Sequence, residues 1–377
     1  MEFDLGWIFL GLPLAFALGW LASRFDLKQL RIENRQAPKA YFKGLNFLLN
    51  EQQDQAIDAF IEAVQNDPDT SELHFALGNL FRRRGEYERA VRVHEHLLSR
   101  DDLIPTDRHR AQHALALDFL KAGLLDRAEA ALCKLQGTAF EAEAGLALLA
   151  IYERSRDWSQ AADIAEKLEA SGQGHFGVRR AHYLCEQASQ ANGEKATELL
   201  LQALAIPADT ARPGMALAQL QFHHGDADNA FETLTQTATT VPAALPLLAK
   251  LMAETAKVCG RQAQAMALMR ASYAQRASLD VMEALVMLDD SDATPRDWYL
   301  RHLEREPSLV AAAQWIAGEK LEHEQFHPQV QRALDHAVKP LTRYRCAACG
   351  FEAKQHFWQC PGCQSWDSYP ACRVEEL

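Results

Sequence analysis

The 377-residue chain has no G-x-x-x-x-G-K-S/T phosphate loop, which excludes a P-loop ATPase. It also lacks a basic excess: 39 Lys and Arg stand against 51 Asp and Glu, for a net charge of −12. The charge is unevenly spread. Residues 1–23 contribute −2, residues 24–43 carry +4, residues 343–377 sum to zero, and residues 44–342 hold the remaining −14. A body of that sign repels a phosphate backbone and argues against nucleic acid as its partner. Between Leu5 and Ala22 there is no charge at all, and the residues in front of that run are Glu2 and Asp4 rather than bases. A cleaved secretory signal would carry its bases there and end on a small-residue cleavage site.

What the uncharged run does fit is a retained anchor. Eighteen helical residues reach about 27 Å, close to the ~30 Å hydrocarbon thickness, and Ser23 with a snorkelling Arg24 covers the remainder. Trp7 and Trp20 stand near its ends, where indoles prefer the headgroup boundary. The bases follow the run, so residues 1–23 are expected to form a single-pass transmembrane helix with the rest of the chain in the cytoplasm. Residues 24–36 form a basic juxtamembrane segment in which Phe25, Leu27, Leu30 and Ile32 alternate with the bases. It fits either a helix resting on anionic lipid, each base adding about 1 kcal/mol, or a solvated extension whose bases only fix topology.

In a reducing compartment, eight cysteines are no disulfide framework. Cys133, Cys185 and Cys259 are isolated in alanine-rich helical surroundings and read as small buried apolar residues. The other five cluster at the C-terminus.

The middle of the chain repeats. Alanines that follow a turn signature recur at Ala56, Ala90, Ala128, Ala161, Ala196, Ala230 and Ala265, at spacings of 34, 38, 33, 35, 34 and 35. Twelve positions before the first three stand Gly44, Gly78 and Ala116, where the two helices of a hairpin need close approach. Four positions after the alanine come Phe60, Leu132, Leu200, Leu234 and Met269, and turn glycines recur at Gly85, Gly123, Gly225 and Gly260. The period resembles the tetratricopeptide repeat, whose helix pairs stack into a superhelix with a concave wall suited to peptides. The fourth and fifth repeats are degenerate, with Leu149 and Leu184 at the small position. From Asp280 to Val338 the helical period continues without the signature. The array is expected over residues 37–338, about eight or nine repeats, with Trp298, Trp315 and Phe326 either in its core or on a docking face for the C-terminal module.

That module, residues 343–377, carries Cys346-x-x-Cys349 and Cys360-x-x-Cys363. Two such knuckles aim four thiolates at one centre, a donor set that suits one zinc or iron ion. All four positions are filled by protein, which points to a structural metal with no open site for substrate. So short a segment has little else to fold around, although Tyr344, Phe357, Trp358, Trp366 and Tyr369 can pack about the metal. Cys372 stands outside both knuckles and reads as a bystander. A second motif, His323-Glu324-Gln325-Phe326-His327, matches H-E-x-x-H, but Pro328 follows directly and Val330 and Ala333 stand where the longer zinc-protease signature needs glycine and histidine. It reads as a helix boundary.

Tyr-x-Cys-x-x-Cys-Gly followed by Trp-x-Cys-Pro-x-Cys-x-x-Trp resembles rubredoxins and also the zinc ribbon of a bacterial family of recombination ATPases, the latter rejected by the missing phosphate loop. The whole order of parts, from inward-facing span through basic neck and acidic repeat array to terminal ribbon, resembles the bacterial lipopolysaccharide assembly protein B family. The resemblance implies an all-α tetratricopeptide-repeat solenoid preceded by one transmembrane helix and followed by a rubredoxin-like ribbon. It further implies no enzymatic activity, with one iron or zinc ion held by Cys346, Cys349, Cys360 and Cys363. The implied role is a bacterial inner-membrane adaptor that promotes degradation of the lipid A-committing deacetylase by the membrane AAA+ metalloprotease and helps organise lipopolysaccharide assembly proteins. A general protein-interaction scaffold and a rubredoxin-like electron carrier remain the alternatives.

Overall fold

The computed structural model describes residues 16, 20, 42–67, 70–289, 295–318 and 324–377. The span expected at residues 5–22, Phe16 and Trp20 apart, and the basic segment at 24–36 lie outside them. Among the described residues no helix is long and apolar enough to cross a membrane. The chain divides into two compact units, residues 1–154 and 155–377.

The first unit holds α1 (42–49) with α2 (Gln53–Asn66), α3 (Ser71–Arg84) with α4 (Tyr87–Leu98), α5 (Pro105–Ala122) with α6 (Leu125–Cys133), and most of α7 (Glu141–Ser155). The second holds α8 (Trp158–Ala170), α9 (Gly177–Gln190), α10 (Glu194–Ala205), α11 (Arg212–His223), α12 (Ala227–Thr240), α13 (Leu245–Cys259), α14 (Gln262–Gln275), α15 (Leu279–Leu288), α16 (Pro295–Leu303), α17 (Leu309–Ala317) and α18 (His327–Val338), followed by the ribbon.

The seven aligned alanines explain why this sequence pairs its helices. Each lies in the first turn of an even-numbered helix from α2 to α14 and is buried. Where both helices lie in one unit, a methyl there lets the preceding helix cross closely, while the large residue one turn on fills the crevice above it. Phe60, Leu132, Leu200, Leu234 and Met269 are accordingly buried. On the facing helix, a Cβ added at Gly44 would come within 2.8 Å of the Phe60 ring, and one at Gly78 within 2.5 Å of the His94 ring.

His94 takes the place that a large apolar residue fills in five other repeats. It is fully buried, and its Nδ1 lies 2.5 Å from Oδ2 of the equally buried Asp118, whose Oδ1 accepts from Arg82 at 2.9 Å. The carboxylate only accepts, so Nδ1 carries the proton, and Nε2 lies against Gly78 without a hydrogen-bond partner. A second helix of the repeat is thus fixed to the next hairpin by charge instead of by packing alone.

Five residues before the repeat alanine, the chain turns in the left-handed region at Gly85, Gly123, Gly225 and Gly260. At the same place Glu51 has φ 58 and Arg156 has φ 59. Their Cβ atoms cost about 1 kcal/mol that glycine avoids. One large apolar core joins α11–α18, with Trp298 and Met282 inside it and the Trp298 Nε1–H donating to Asp289. Trp298 therefore belongs to the core, whereas Phe326 is exposed.

Two substitutions test this account in opposite directions. Gly78→Ala forces the His94 ring off its Asp118 bond and should destabilise the α3–α5 region by about 1–3 kcal/mol, read as faster amide exchange there. Arg156→Gly relieves the left-handed turn and should slow exchange at the start of α8, by up to ~1 kcal/mol.

Candidate metal centre and its docking face

The ribbon is built from two copies of one backbone turn. In the first knuckle the Gly350 N–H donates to the Cys346 carbonyl at 2.9 Å, and the Cys346 N–H to the Phe351 carbonyl at 2.9 Å. In the second, Gln364 donates to Cys360 at 2.8 Å and Cys360 to Ser365 at 2.9 Å. The residue after each second cysteine is left-handed, Gly350 at φ 76 and Gln364 at φ 61. Gly362 serves differently: a Cβ there would touch the Phe351 ring at 3.4 Å. Strands β1 (Tyr344–Arg345) and β2 (Glu352–Ala353) pair antiparallel behind the first knuckle, and a bridge from Gln359 to Trp366 closes the second.

These turns bring the four predicted sulfurs within 4.8 Å of one another, with Cys346 and Cys363 3.8 Å apart and Cys349 and Cys360 3.7 Å apart. A tetrahedron of sulfurs about 2.3 Å from one metal has edges of about 3.8 Å, so the cage fits one zinc or iron ion. Charge makes the same demand. The Ser365 hydroxyl and N–H draw the Cys363 thiol below its ordinary range. Burial raises Cys346, but the Ser368 hydroxyl and the N–H groups of Cys349 and Ala348 bring it down to about 6. Although the Phe351 N–H favours its thiolate, burial and the adjoining sulfurs drive Cys349 up to about 12. Four sulfurs this close cannot all ionise without a cation among them.

Of the five aromatics near the knuckles, Tyr344, Phe357 and Tyr369 pack with the cage cysteines. Trp366 does not stay there. Its ring stacks on His182 of α9 at 4.8 Å and meets Trp158 of α8 and Tyr183 of α9 edge-on, each at 5.9 Å. Beside it the His182 Nε2 lies 2.8 Å from Asp367 Oδ2. Arg212 of α11 approaches the His182 Nδ1 at 3.4 Å and binds Glu186 at 2.7 Å. A guanidinium only donates, which leaves Nε2–H as the donor to Asp367 and fixes the tautomer.

The last residues fasten the other side. Arg373 pairs with Asp280 of α15, its Nε at 3.1 Å from Oδ2. Glu376 accepts the Leu279 N–H at 2.7 Å, at the start of α15. Glu375 accepts from Leu309 at 2.5 Å, Val310 at 3.1 Å and the Ser308 hydroxyl at 2.8 Å, at the start of α17. Two consecutive carboxylates thus cap two separate helices, where unpaired N–H groups and the helix dipole favour an anion by about 1 kcal/mol each.

The sequence pattern marked the thiolates and missed His182, Asp367, Glu375 and Glu376. Nothing in their spacing joins them, since the His182–Asp367 pair spans 185 positions. The isolated cysteines divide: Cys185 is buried and its thiol pushed up to about 12 by burial, whereas Cys133, expected inside, is exposed at the end of α6. Cys372 is buried, and burial raises its thiol. Of the H-E-x-x-H stretch, His323 lies outside the described residues, and His327 opens α18 with its Nε2 3.2 Å from the Ile316 carbonyl.

Native protein should carry one metal equivalent per chain, and Cys349→Ser with Cys360→Ser should abolish it. Trp366→Ala with Glu375→Gln should keep the metal but free the ribbon, exposing the 339–343 linker to limited proteolysis. Elemental analysis and cleavage mapping separate the two effects.

The family described as the rubredoxin metal binding domain matches residues 344–369, and the tetratricopeptide repeat family matches residues 73–106. Lipopolysaccharide assembly protein B of Escherichia coli (strain K12) is 29% identical over 380 residues, covering 97% of this chain and 98% of its own length. The protein of that name from Haemophilus influenzae is 29% identical over 397 residues, covering 96% of each chain. Among solved structures, a tetratricopeptide repeat protein from Parabacteroides merdae, 14% identical, superposes at a TM-score of 0.35 over 67% of this chain and 98% of its own. That superposition adds no weight. The end-to-end alignments, with the ribbon family matched across all four cage cysteines and the repeat family matched in the array, show that this chain is similar to lipopolysaccharide assembly protein B along its length.

Proposed function

We propose that this chain is a non-enzymatic adaptor of the bacterial inner membrane, acting on the cytoplasmic side in lipopolysaccharide assembly. In this reading it brings the lipid A-committing deacetylase to the membrane AAA+ metalloprotease. The observation that carries the reading is alignment with lipopolysaccharide assembly protein B over 97% of the chain, repeats and ribbon included. The uncharged run at residues 5–22 supports an anchor, which would confine the array to the layer where a membrane protease works and raise effective concentration without new contacts. The metal, held by Cys346, Cys349, Cys360 and Cys363, would supply folding energy to the ribbon and perform no chemistry on a substrate. Its part in the adaptor is indirect: it shapes the turn that carries Trp366 and Asp367 to the array.

The test is the lifetime of the deacetylase after protein synthesis is blocked. Cells lacking the chain, or carrying Cys349→Ser with Cys360→Ser, should degrade the deacetylase several-fold more slowly than cells with the native chain. Equal lifetimes in all three would favour a scaffold without a link to proteolysis. A soluble fragment beginning at Ser23 should restore degradation poorly at matched expression.

A further inference from the structure

A cysteine that binds a metal gives up its proton, so every sulfur of the loaded cage accepts hydrogen bonds and none donates. The donors that face the sulfurs then govern how well the cage bears its negative charge. Two of them are serine hydroxyls. Ser365 Oγ lies 3.3 Å from Cys363 Sγ, and Ser368 Oγ lies 3.3 Å from Cys346 Sγ. Tyr369 Oη stands farther off, 3.9 Å from Cys360 Sγ, and gives its proton to the Phe351 carbonyl at 3.2 Å.

Both serines are held in place from two sides. The Ser365 carbonyl accepts the Cys360 N–H at 2.9 Å, and the Ser368 carbonyl accepts the Ala347 N–H at 2.7 Å, so each is tied to the backbone of a knuckle. Between them, Trp366 and Asp367 are fastened to His182 of α9. The segment 365–368 therefore alternates in duty: its two ends face the cage and its middle faces the array. Among the described residues the Ser365 hydroxyl meets that sulfur alone. The Ser368 hydroxyl also reaches the Ser365 carbonyl at 3.2 Å, which takes its proton while Cys346 is a thiol. Once Cys346 is a thiolate it is the stronger acceptor, and the hydroxyl turns to it.

Formal charge gives these donors a preference. Four thiolates around a divalent ion sum to −2 and around a ferric ion to −1, and a hydrogen bond to sulfur favours the form with more charge on sulfur. We propose that Ser365 and Ser368 are positioning residues that set which ion the cage keeps: through Cys363 and Cys346 they favour zinc or ferrous iron over ferric iron. The selection thus lies outside the four ligands. It goes beyond the adaptor reading and does not depend on it, because the metal itself is the readout.

The test uses the full chain in detergent, loaded in turn with zinc, cobalt(II) and iron. Ser365→Ala with Ser368→Ala should weaken zinc binding about tenfold in competition with a chelator. The same variant should move the sulfur-to-cobalt charge-transfer band to longer wavelength and lower the midpoint of the one-electron iron couple, titrated with dithionite and ferricyanide. Ser365→Ala alone should shift all three in the same direction by less, and Ser365→Thr, which keeps the hydroxyl, should leave them at native values. Weaker zinc binding with band and midpoint unmoved would show that the serines only brace the turn, and would overturn the proposal, as would a double variant that behaves like the native chain. Should the double variant fail to hold metal, Ser365→Ala compared with Ser365→Thr decides the matter by the same readouts.

Discussion

Four thiolates within 4.8 Å of one another require a cation, and the fold of the ribbon and its seat on the second unit's helices hang on that requirement. The ribbon has two-residue strands and a small apolar cluster built on the cage cysteines themselves. Without the metal there is little to hold the knuckles. The second knuckle ends in Ser365, and the next two residues are Trp366 and Asp367, which reach the array. Metal ligation and docking are therefore consecutive in the chain, and disorder in one is transmitted to the other over a few bonds.

The face that receives the ribbon is the part of the array that departs from the repeat. In the fifth repeat Leu184 stands where a small residue is found in the first three, and its neighbours His182 and Tyr183 are fully buried. Trp158 opens the helix that carries the fourth repeat alanine and packs against the ribbon. Relaxation of the repeat signature in this stretch accompanies the acquisition of a second set of contacts. A position that must bind the ribbon is not free to follow the spacing rule of a position that only stacks on the next hairpin.

How much was legible follows from the range of each interaction. The alanine register could be read because the constraint is local and recurs: one methyl, one turn, one crossing helix, seven times. The cage could be read because two C-x-x-C pairs this close in sequence aim four sulfurs at one centre, a pattern with few other uses. His94 could not, since an imidazole at an apolar position looks like decay of the motif until Asp118, 24 residues away, is seen beside it. Glu375 and Glu376 look like a solvated charged end. Their role depends on the free N–H groups of α15 and α17, which no pattern in the tail announces. The anchor is an expectation from composition alone, and its residues lie mostly outside the described part of the chain.

The contacts that hold the ribbon are individually modest, and connectivity explains why they suffice. Helix capping by Glu375 and Glu376, the Arg373–Asp280 pair and the Trp366 stack each contribute on the order of 1 kcal/mol. As a separate molecule a ribbon with such contacts would bind weakly, because association itself costs several kcal/mol. Here only residues 339–343 separate the end of α18 from β1. A linker that short fixes the effective concentration in the millimolar range or above, so a few polar contacts keep the ribbon seated. The same arithmetic limits the strength of the joint. Removing the metal or two of these contacts shifts the docked fraction measurably without touching the array's alanine-spaced core, so the joint can fail while the solenoid stays folded.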